Sequence, residues 1–137
     1  MASFFTFVFN AAASLLQNGG IVWGSDTIKV RLVAATVVPA IDDTSMTGYT
    51  AVGTDQTLAS KTQTNDTTTD RTVYGAANAL YSSPGTGSEF ATAVVYQFVT
   101  DDAGSTPIFS LAVFPTVTTG AALTLTFDSA GVGYTQQ

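Results

Sequence analysis

Apolar residues near the start of the chain recur at steps of three and four positions, which predicts a helix over residues 3–17. The pattern ends at Asn18-Gly19-Gly20, a stop signal because glycine tolerates the left-handed conformation at a helix end. Phe4 and Phe7 lie off the main stripe, so the helix is expected to pack on two partners, and a neighbouring subunit is one candidate. The stripe consists of Phe5, Val8, Phe9, Ala12, Leu15 and Leu16.

The apolar run from Phe4 to Leu16 also resembles the core of a secretory signal peptide. Signal peptides normally carry a positively charged residue before that core, and no such side chain precedes Phe4. We therefore expect this run to be a buried or interface helix of the mature protein.

From residue 27 onward, apolar and polar positions alternate, which predicts strands. The first strand covers residues 27–35 and places Lys29 and Arg31 on the face opposite its apolar side chains. The clearest strand covers residues 90–100. The Asp101-Asp102-Ala103-Gly104 sequence that follows predicts a hairpin turn.

Further along the chain, the strand signals are shorter. A returning strand over residues 107–114 is flanked by prolines, which predicts a position near a sheet edge. Residues 123–127 form the last alternating segment, and weaker patterns predict strands over 57–64 and 72–81. Glycine, proline and polar clusters predict loops over residues 39–53, 65–70 and 82–88.

Strands at roughly regular spacing, with turn signals between them, predict a mainly β fold. We expect a single-domain antiparallel β-sandwich or barrel-like fold with one N-terminal helix. The 137 residues are a normal length for one domain. Within this domain of residues 1–137, residues 1–20 form an N-terminal helix or arm and residues 21–137 form the β-rich body.

Composition supports this fold and excludes two classes of binding partner. The chain has 24 threonines and only 10% charged residues, and threonine favours strands because it is branched at Cβ. The net charge is −6, and the few basic residues are scattered. Nucleic acid and anionic membrane surfaces both require clustered positive charge, so we expect neither as a partner. The basic residues are Lys29, Arg31, Lys61 and Arg71.

The inventory of reactive side chains is small. The chain contains no histidine and no cysteine, which removes the commonest general base and every thiolate metal site. Residues 85–89 miss the G-x-S-x-G nucleophile pattern, and Glu89 is the only glutamate. We therefore expect no enzyme activity, no catalytic residue, no cofactor and no metal site. A hydrolase with an unusual carboxylate pair is the remaining catalytic hypothesis.

Adjacent aspartates occur in predicted turns at Asp42-Asp43 and Asp101-Asp102. Such residues are expected to be solvated or bonded to nearby backbone amides. A calcium site is the alternative, for which Asp66 and Asp70 are further oxygen donors. The glycosylation pattern Asn65-Asp66-Thr67 is assigned no role.

Aromatic residues are the candidate contact residues. Phe4, Phe5, Phe7 and Phe9 make the amino terminus a candidate docking or subunit-contact element. Trp23 is a further interface candidate, although a core position that pins the helix to the sheet is the preferred interpretation. Another candidate is a sugar-stacking platform built from Tyr49, Tyr74, Tyr81 and Tyr134.

Six short segments carry a resemblance to a known family. They are residues 18–21 (NGGI), 26–33 (DTIKVRLV), 47–53 (TGYTAVG), 57–62 (TLASKT), 68–73 (TTDRTV) and 93–108. Their order resembles that of small virion structural proteins from tailed bacteriophages, which open with a short helix and a DTIKV-type strand. The likeness covers nearly the whole chain. It departs at Val52, where the family commonly has glycine, and at Tyr81 or a neighbouring residue, where the family has tryptophan.

The resemblance implies a phage virion structural protein with no catalytic residues. We expect a capsid decoration or cement protein on the exterior of the virion capsid, made in the host cytoplasm. Its expected partners are the lattice of the major capsid protein and further copies of itself, with a trimer preferred. The alternative is a tail or fibre component with a receptor- or glycan-binding role, for which exposed tyrosines and few copies per virion are expected.

Overall fold

The structure, a computed structural model, describes residues 1–136. Strands contain 49% of the residues and helices 7%, which confirms the prediction of a mainly β fold with one helix. All pairs between strands in this part of the chain are antiparallel. The architecture is that of a β-sandwich-like single domain.

Residues 1–136 form ten strands and one helix. In chain order they are β1 (Ser3–Val8), α1 (Asn10–Asn18), β2 (Ile28–Ala34), β3 (Gln56–Thr57), β4 (Thr62–Asp66), β5 (Arg71–Gly75), β6 (Ala79–Tyr81), β7 (Thr86–Val99), β8 (Asp101–Thr119), β9 (Leu123–Leu125) and β10 (Gly133–Gln136). They form a five-stranded sheet in the order β1-β8-β7-β2-β3, a three-stranded sheet β10-β5-β4 and a two-stranded sheet β6-β9.

The two-stranded sheet continues the long β7-β8 hairpin. β6 leads into β7 and β8 leads into β9, and each of these two strand pairs is antiparallel. The connection from β6 to β7 and the connection from β8 to β9 meet at one place, where the Gly120 N–H donates to the Gly85 carbonyl at 2.8 Å. Gly85 and Gly120 have φ angles of 86° and 85° there, a conformation that glycine adopts without steric cost. Leu125 and Tyr81 are thereby buried.

An aromatic cluster joins the five-stranded sheet to the three-stranded one. Phe109 of β8 lies 5.6 Å from Tyr74 of β5, between ring centroids, and 5.9 Å from Trp23. Trp23 and Tyr74 meet edge to face, with ring centroids 5.3 Å apart, which is an arrangement that aromatic pairs prefer. The Trp23 Nε1–H also donates to the Gly75 carbonyl at 3.1 Å, so its one polar group is satisfied. This cluster forms the centre of the core.

The predicted helix over residues 3–17 is wrong in its first half. Ser3–Val8 is strand β1, paired with β8, and helix α1 begins only at Asn10. Almost every residue from Phe4 to Phe9 is apolar, so the segment fits the apolar pattern of a helix and that of a strand equally well. Phenylalanine, threonine and valine favour strands, and pairing with β8 decides the outcome. The predicted end of the helix is confirmed, because Gly19 caps it with a φ of 83°.

The predicted edge position of residues 107–114 is also wrong. β8 lies inside the five-stranded sheet, between β1 and β7. Its pairing with β1 covers only residues 109–113, so Pro107 and Pro115 lie outside that ladder. On the β7 side, both prolines lie at shifts in the register. Bulges tolerate proline because the missing N–H is not required there.

Candidate functional site

The aromatic residues proposed as contacts do not form one surface. Phe9 and Trp23 are 0% and 1% exposed and belong to the core. Phe5 packs on Tyr134 with ring centroids 4.5 Å apart, and Phe7 meets Phe9 at 5.1 Å. Among these five candidates, only Phe4 presents about half of its surface to solvent, at 51%.

The structure instead places Phe4 beside a residue that the sequence interpretation did not single out. Phe4 pairs with Ala112 across β1 and β8, so Phe114, two positions further, is its diagonal neighbour on the same sheet face. Phe114 is 76% exposed, and Val117 further along β8 is 54% exposed. We call this surface the Phe4–Phe114 face; it consists of Phe4, Ala112, Val113, Phe114, Pro115 and Val117.

The Phe4–Phe114 face contains a groove. A cavity of about 200 Å³ lies between the two phenylalanines, and Ala112, Val113 and Pro115 complete its lining. A second depression of about 220 Å³ lies on the other side of Phe4, lined in part by Tyr134. Phe4 is therefore a ridge between two hollows. Exposed apolar surface of this shape is typical of an interaction site.

Charged side chains are segregated away from this face. Residues 1–25 and 103–127 contain none of the chain's four basic and ten acidic side chains. β1 and most of β8 are built from these two segments. Asp128 lines the second depression rather than the groove. The lining of the groove is thus uncharged on an acidic molecule, and Glu89 of β7, which is exposed and pairs with Val117, stands at the far end of the Phe4–Phe114 face.

A second feature is a buried polar network around Arg31 of β2. Arg31 is only 7% exposed. Its Nε and Nη2 groups donate to Asp55 at 3.0 and 2.8 Å, and its Nη1 and Nη2 groups donate to Asp102 at 3.0 and 2.8 Å. Nη1 also donates to the Tyr49 carbonyl at 2.8 Å. All five N–H donors of the guanidinium are therefore engaged within the chain.

The Arg31 network joins segments that are distant in sequence. It connects β2 to the loop at Tyr49, to Asp55 just before β3 and to the tip of the β7-β8 hairpin at Asp102. Burial alone would lower the pKa of Arg31, but its hydrogen bonds to both aspartates outweigh burial and raise it above the ordinary value. The prediction for Asp102 missed its ion pair with Arg31, although its side chain is 49% exposed, whereas Asp101 does bond a local amide, that of Gly104, at 2.9 Å.

Tyrosines extend this network into the core. The Tyr96 hydroxyl donates to Asp55 at 2.5 Å, and the Arg31 guanidinium carbon lies 5.4 Å from the Tyr96 ring centroid. Burial raises the pKa of Tyr96, and its bond to Asp55 adds to that rise. The network therefore contains a permanently charged arginine and hydroxyls that stay protonated, which makes it a structural clamp.

The other candidate sites receive no support from the geometry. Tyr49, Tyr74 and Tyr81 are buried, so the four tyrosines do not form a stacking platform. The Asp66 carboxylate accepts bonds from the Thr68 N–H and the Thr69 hydroxyl within its own turn. Among residues 1–136, no three acidic side chains converge as they would around a metal ion. Over the same residues, no helix has the length and apolar character to cross a membrane.

The ion pair of Asp102 predicts a dependence of stability on acid. The bonds from Arg31 hold the pKa of Asp102 below its usual value. A carboxyl with a lowered pKa stabilises the fold above its unfolded pKa of about 3.9, and the contribution disappears as the pH falls through the folded value. The free energy of unfolding should therefore fall as the pH is lowered from about 5 to about 2.

Asp102→Asn tests this origin, because the variant should lose less stability over the same acid range. The Asp102 side chain is 49% exposed, so the two proteins should differ in their acid-induced loss of stability by less than about 1 kcal/mol. Asp70→Asn is the matched control, since Asp70 takes no part in the Arg31 network. Urea unfolding at a series of pH values measures the effect. Equal acid sensitivity of Asp102→Asn and the unaltered chain would contradict it.

Comparisons with protein-family models, with curated protein sequences and with solved structures find no match to this chain.

Proposed function

We propose that this protein is a capsid decoration protein of a tailed bacteriophage, which binds the assembled head and stabilises it. The observation that carries the proposal is the Phe4–Phe114 face, an exposed apolar surface that indicates a protein working in an assembly with other protein chains, among them further copies of itself. Apolar patches of this kind are typical of contacts with other proteins. The phage setting comes from the sequence resemblance.

The physical role of such a protein follows from mass action. A protein that binds the assembled shell, and not its separated subunits, stabilises the shell in proportion to its occupancy. Several contacts per oligomer increase the overall affinity. A trimer at symmetric points of the lattice is the proposed state. The net charge of −6 suits a position on the capsid exterior, away from packaged DNA, and the protein would reach it from the host cytoplasm.

The proposal assigns no catalytic role to the chain. Histidine and cysteine are absent from the sequence. The most prominent cluster of charged groups is the Arg31 network, where every guanidinium donor already has a partner within the chain. A network that is saturated internally has no donor left to stabilise charge on a substrate. This arrangement supports a structural rather than a chemical function.

A tail or fibre component remains the alternative proposal. It requires exposed groups that hold a receptor or a sugar, and the burial of Tyr49, Tyr74 and Tyr81 removes the stacking surface that the sequence offered for it. No other feature of the described residues favours it over the capsid.

Quantitative mass spectrometry of purified particles tests the proposal. We expect this chain in many copies per virion, in a fixed ratio to the major capsid protein. Heads assembled without it should bind the purified protein and become more resistant to heat, whereas separated capsid subunits should not bind. A handful of copies per particle, located at the tail, would favour the alternative.

A further inference from the structure

We infer that the Phe4–Phe114 face is the contact between copies of this chain, with Phe114 of one copy seated in the groove beside Phe4 of the next. This inference rests on the proposed function, because it names the surface that holds the proposed oligomer together. It commits the face to a second copy rather than to the shell.

The shape of the face supports contact between copies. Phe114 is 76% exposed, so it projects from the sheet as a knob. The groove of about 200 Å³ beside it is lined by Phe4, Ala112, Val113 and Pro115 as well as by Phe114 itself. One surface therefore presents both an apolar projection and an apolar hollow. A projection that fits the hollow of the next copy makes a heterologous contact, which can close into a ring such as a trimer, and a buried aromatic anchor is the usual hot spot.

The distribution of charge supports the same occupant. Each copy carries a net charge of −6, so two copies repel each other wherever acidic surfaces meet. The lining of the groove has no charged side chain, and Glu89 of β7, which pairs with Val117, lies outside that lining. A partner with a basic surface would gain most by binding elsewhere on the molecule. An identical acidic copy, in contrast, can approach closely only through an uncharged face.

The backbone of β1 indicates that side chains make this contact. β1 is the outer strand of the five-stranded sheet, and edge strands are sites where another strand can pair. The register of β1 against β8 shifts between Phe5 and Phe7, which is a bulge at Thr6. Bulges on edge strands disturb the row of backbone groups that a further strand would need. We therefore assign the contact to the sheet face and not to strand addition.

Phe114→Ser tests the inference by analytical ultracentrifugation of the purified chain. The unaltered chain should form an oligomer, and the variant should weaken self-association by about 30-fold or more, as expected for a hot-spot residue. Val38→Ser is the matched control, because Val38 is 83% exposed on a different segment, and its association should be unchanged. Circular dichroism should show the same fold for all three proteins.

Phe114→Asp is a second variant, which adds repulsion between copies and should dissociate the oligomer more completely. Association of the unaltered chain should persist or strengthen as salt is raised, because salt screens repulsion and leaves apolar contact intact. An unaltered chain that is monomeric at all concentrations would overturn the inference. Oligomers that withstand both Phe114 substitutions, or that dissociate in salt, would overturn it as well.

Binding to heads separates this inference from the proposed function. If the chain forms oligomers through Phe114 but does not bind heads, the inference stands and the capsid role fails. If the chain is monomeric and Phe114→Ser abolishes binding to heads, the face contacts the shell and the inference is overturned.

Discussion

Replacing Arg31 with methionine is expected to lower the free energy of unfolding by about 3–5 kcal/mol, the usual effect of removing one partner from a buried ion pair. The substitution leaves Asp55 with a side chain only 14% exposed and no positive charge to compensate it. It also leaves the Tyr49 carbonyl without the donor at 2.8 Å. The loop around Tyr49 and the tip of the β7-β8 hairpin would lose their common anchor.

Urea unfolding followed by circular dichroism at neutral pH measures this effect. Arg71→Met is the matched control, because Arg71 is only half-buried, stacks on Tyr134 with its guanidinium carbon 4.2 Å from the ring centroid and belongs to no buried pair. Arg71→Met should lower the free energy of unfolding by less than about 1 kcal/mol. Arg31→Lys should fall between the two, since lysine keeps the charge but loses the planar fork that reaches both aspartates.

Equal costs for Arg31→Met and Arg71→Met would show that the Arg31 network contributes little to stability. The expected loss is a large fraction of the total of about 5–15 kcal/mol that holds a typical domain folded. If Arg31→Met proves too unstable to purify, the Arg31→Lys variant still permits the comparison with Arg71→Met.

Replacing Trp23 with alanine should cost about 3–5 kcal/mol, the range for truncating a large aromatic residue in a core. Trp23 is 1% exposed and contacts both Tyr74 and Phe109. Its removal opens a cavity where the five-stranded and three-stranded sheets meet. The neighbouring rings belong to separate strands, so they are not free to move together and fill the space.

Trp23→Phe separates packing from hydrogen bonding. Phenylalanine keeps much of the ring contact but loses the Nε1–H that bonds the Gly75 carbonyl at 3.1 Å, so a smaller loss of about 1–3 kcal/mol is expected. Phe114→Ala is the control, because that ring is 76% exposed and should change stability by less than about 0.5 kcal/mol.

Circular dichroism is the appropriate probe for this series, since Trp23 is the only tryptophan and its substitution removes the tryptophan fluorescence signal. A loss for Trp23→Ala no larger than that for Phe114→Ala would show that Trp23 is not part of the core. Trp23 would then return to consideration as an interface residue.

The clamp around Arg31 explains how a long irregular segment stays ordered. Residues 35–55 contain no strand, yet Met46, Tyr49 and Val52 within them are buried. The Arg31 bond to the Tyr49 carbonyl and the bond from the Met46 N–H to the Asp102 carbonyl at 3.1 Å tie the segment to the hairpin tip. The segment pairs with β2 only through a single bridge, between Val33 and Ala51, so its other buried backbone groups need such partners.

Local patterns in the sequence were enough for several features. The alternation over residues 90–100 predicted the central strand β7. The hairpin turn predicted at residues 101–104 is displaced, because Val99 pairs with Asp101 around Thr100 and β8 already begins at Asp101. Gly19 marked the end of the helix. These signals are local, because each depends on the preferences of a few neighbouring residues and on one periodicity.

The tertiary structure decided the features that depend on distant partners. Residues 3–8 fit both a helix and a strand by pattern, and only pairing with β8 selects the strand. Arg31 has the spacing of a solvent-facing residue on β2, and only Asp55 and Asp102, 24 and 71 positions away, make it a buried clamp. Phe114 looks like any other apolar strand residue until the sheet order leaves it uncovered. The sequence alone thus determined the β character of the chain and its lack of histidine and cysteine chemistry. Burial, sheet order and exposed surface came from contacts between segments far apart in the chain, which local periodicity does not encode.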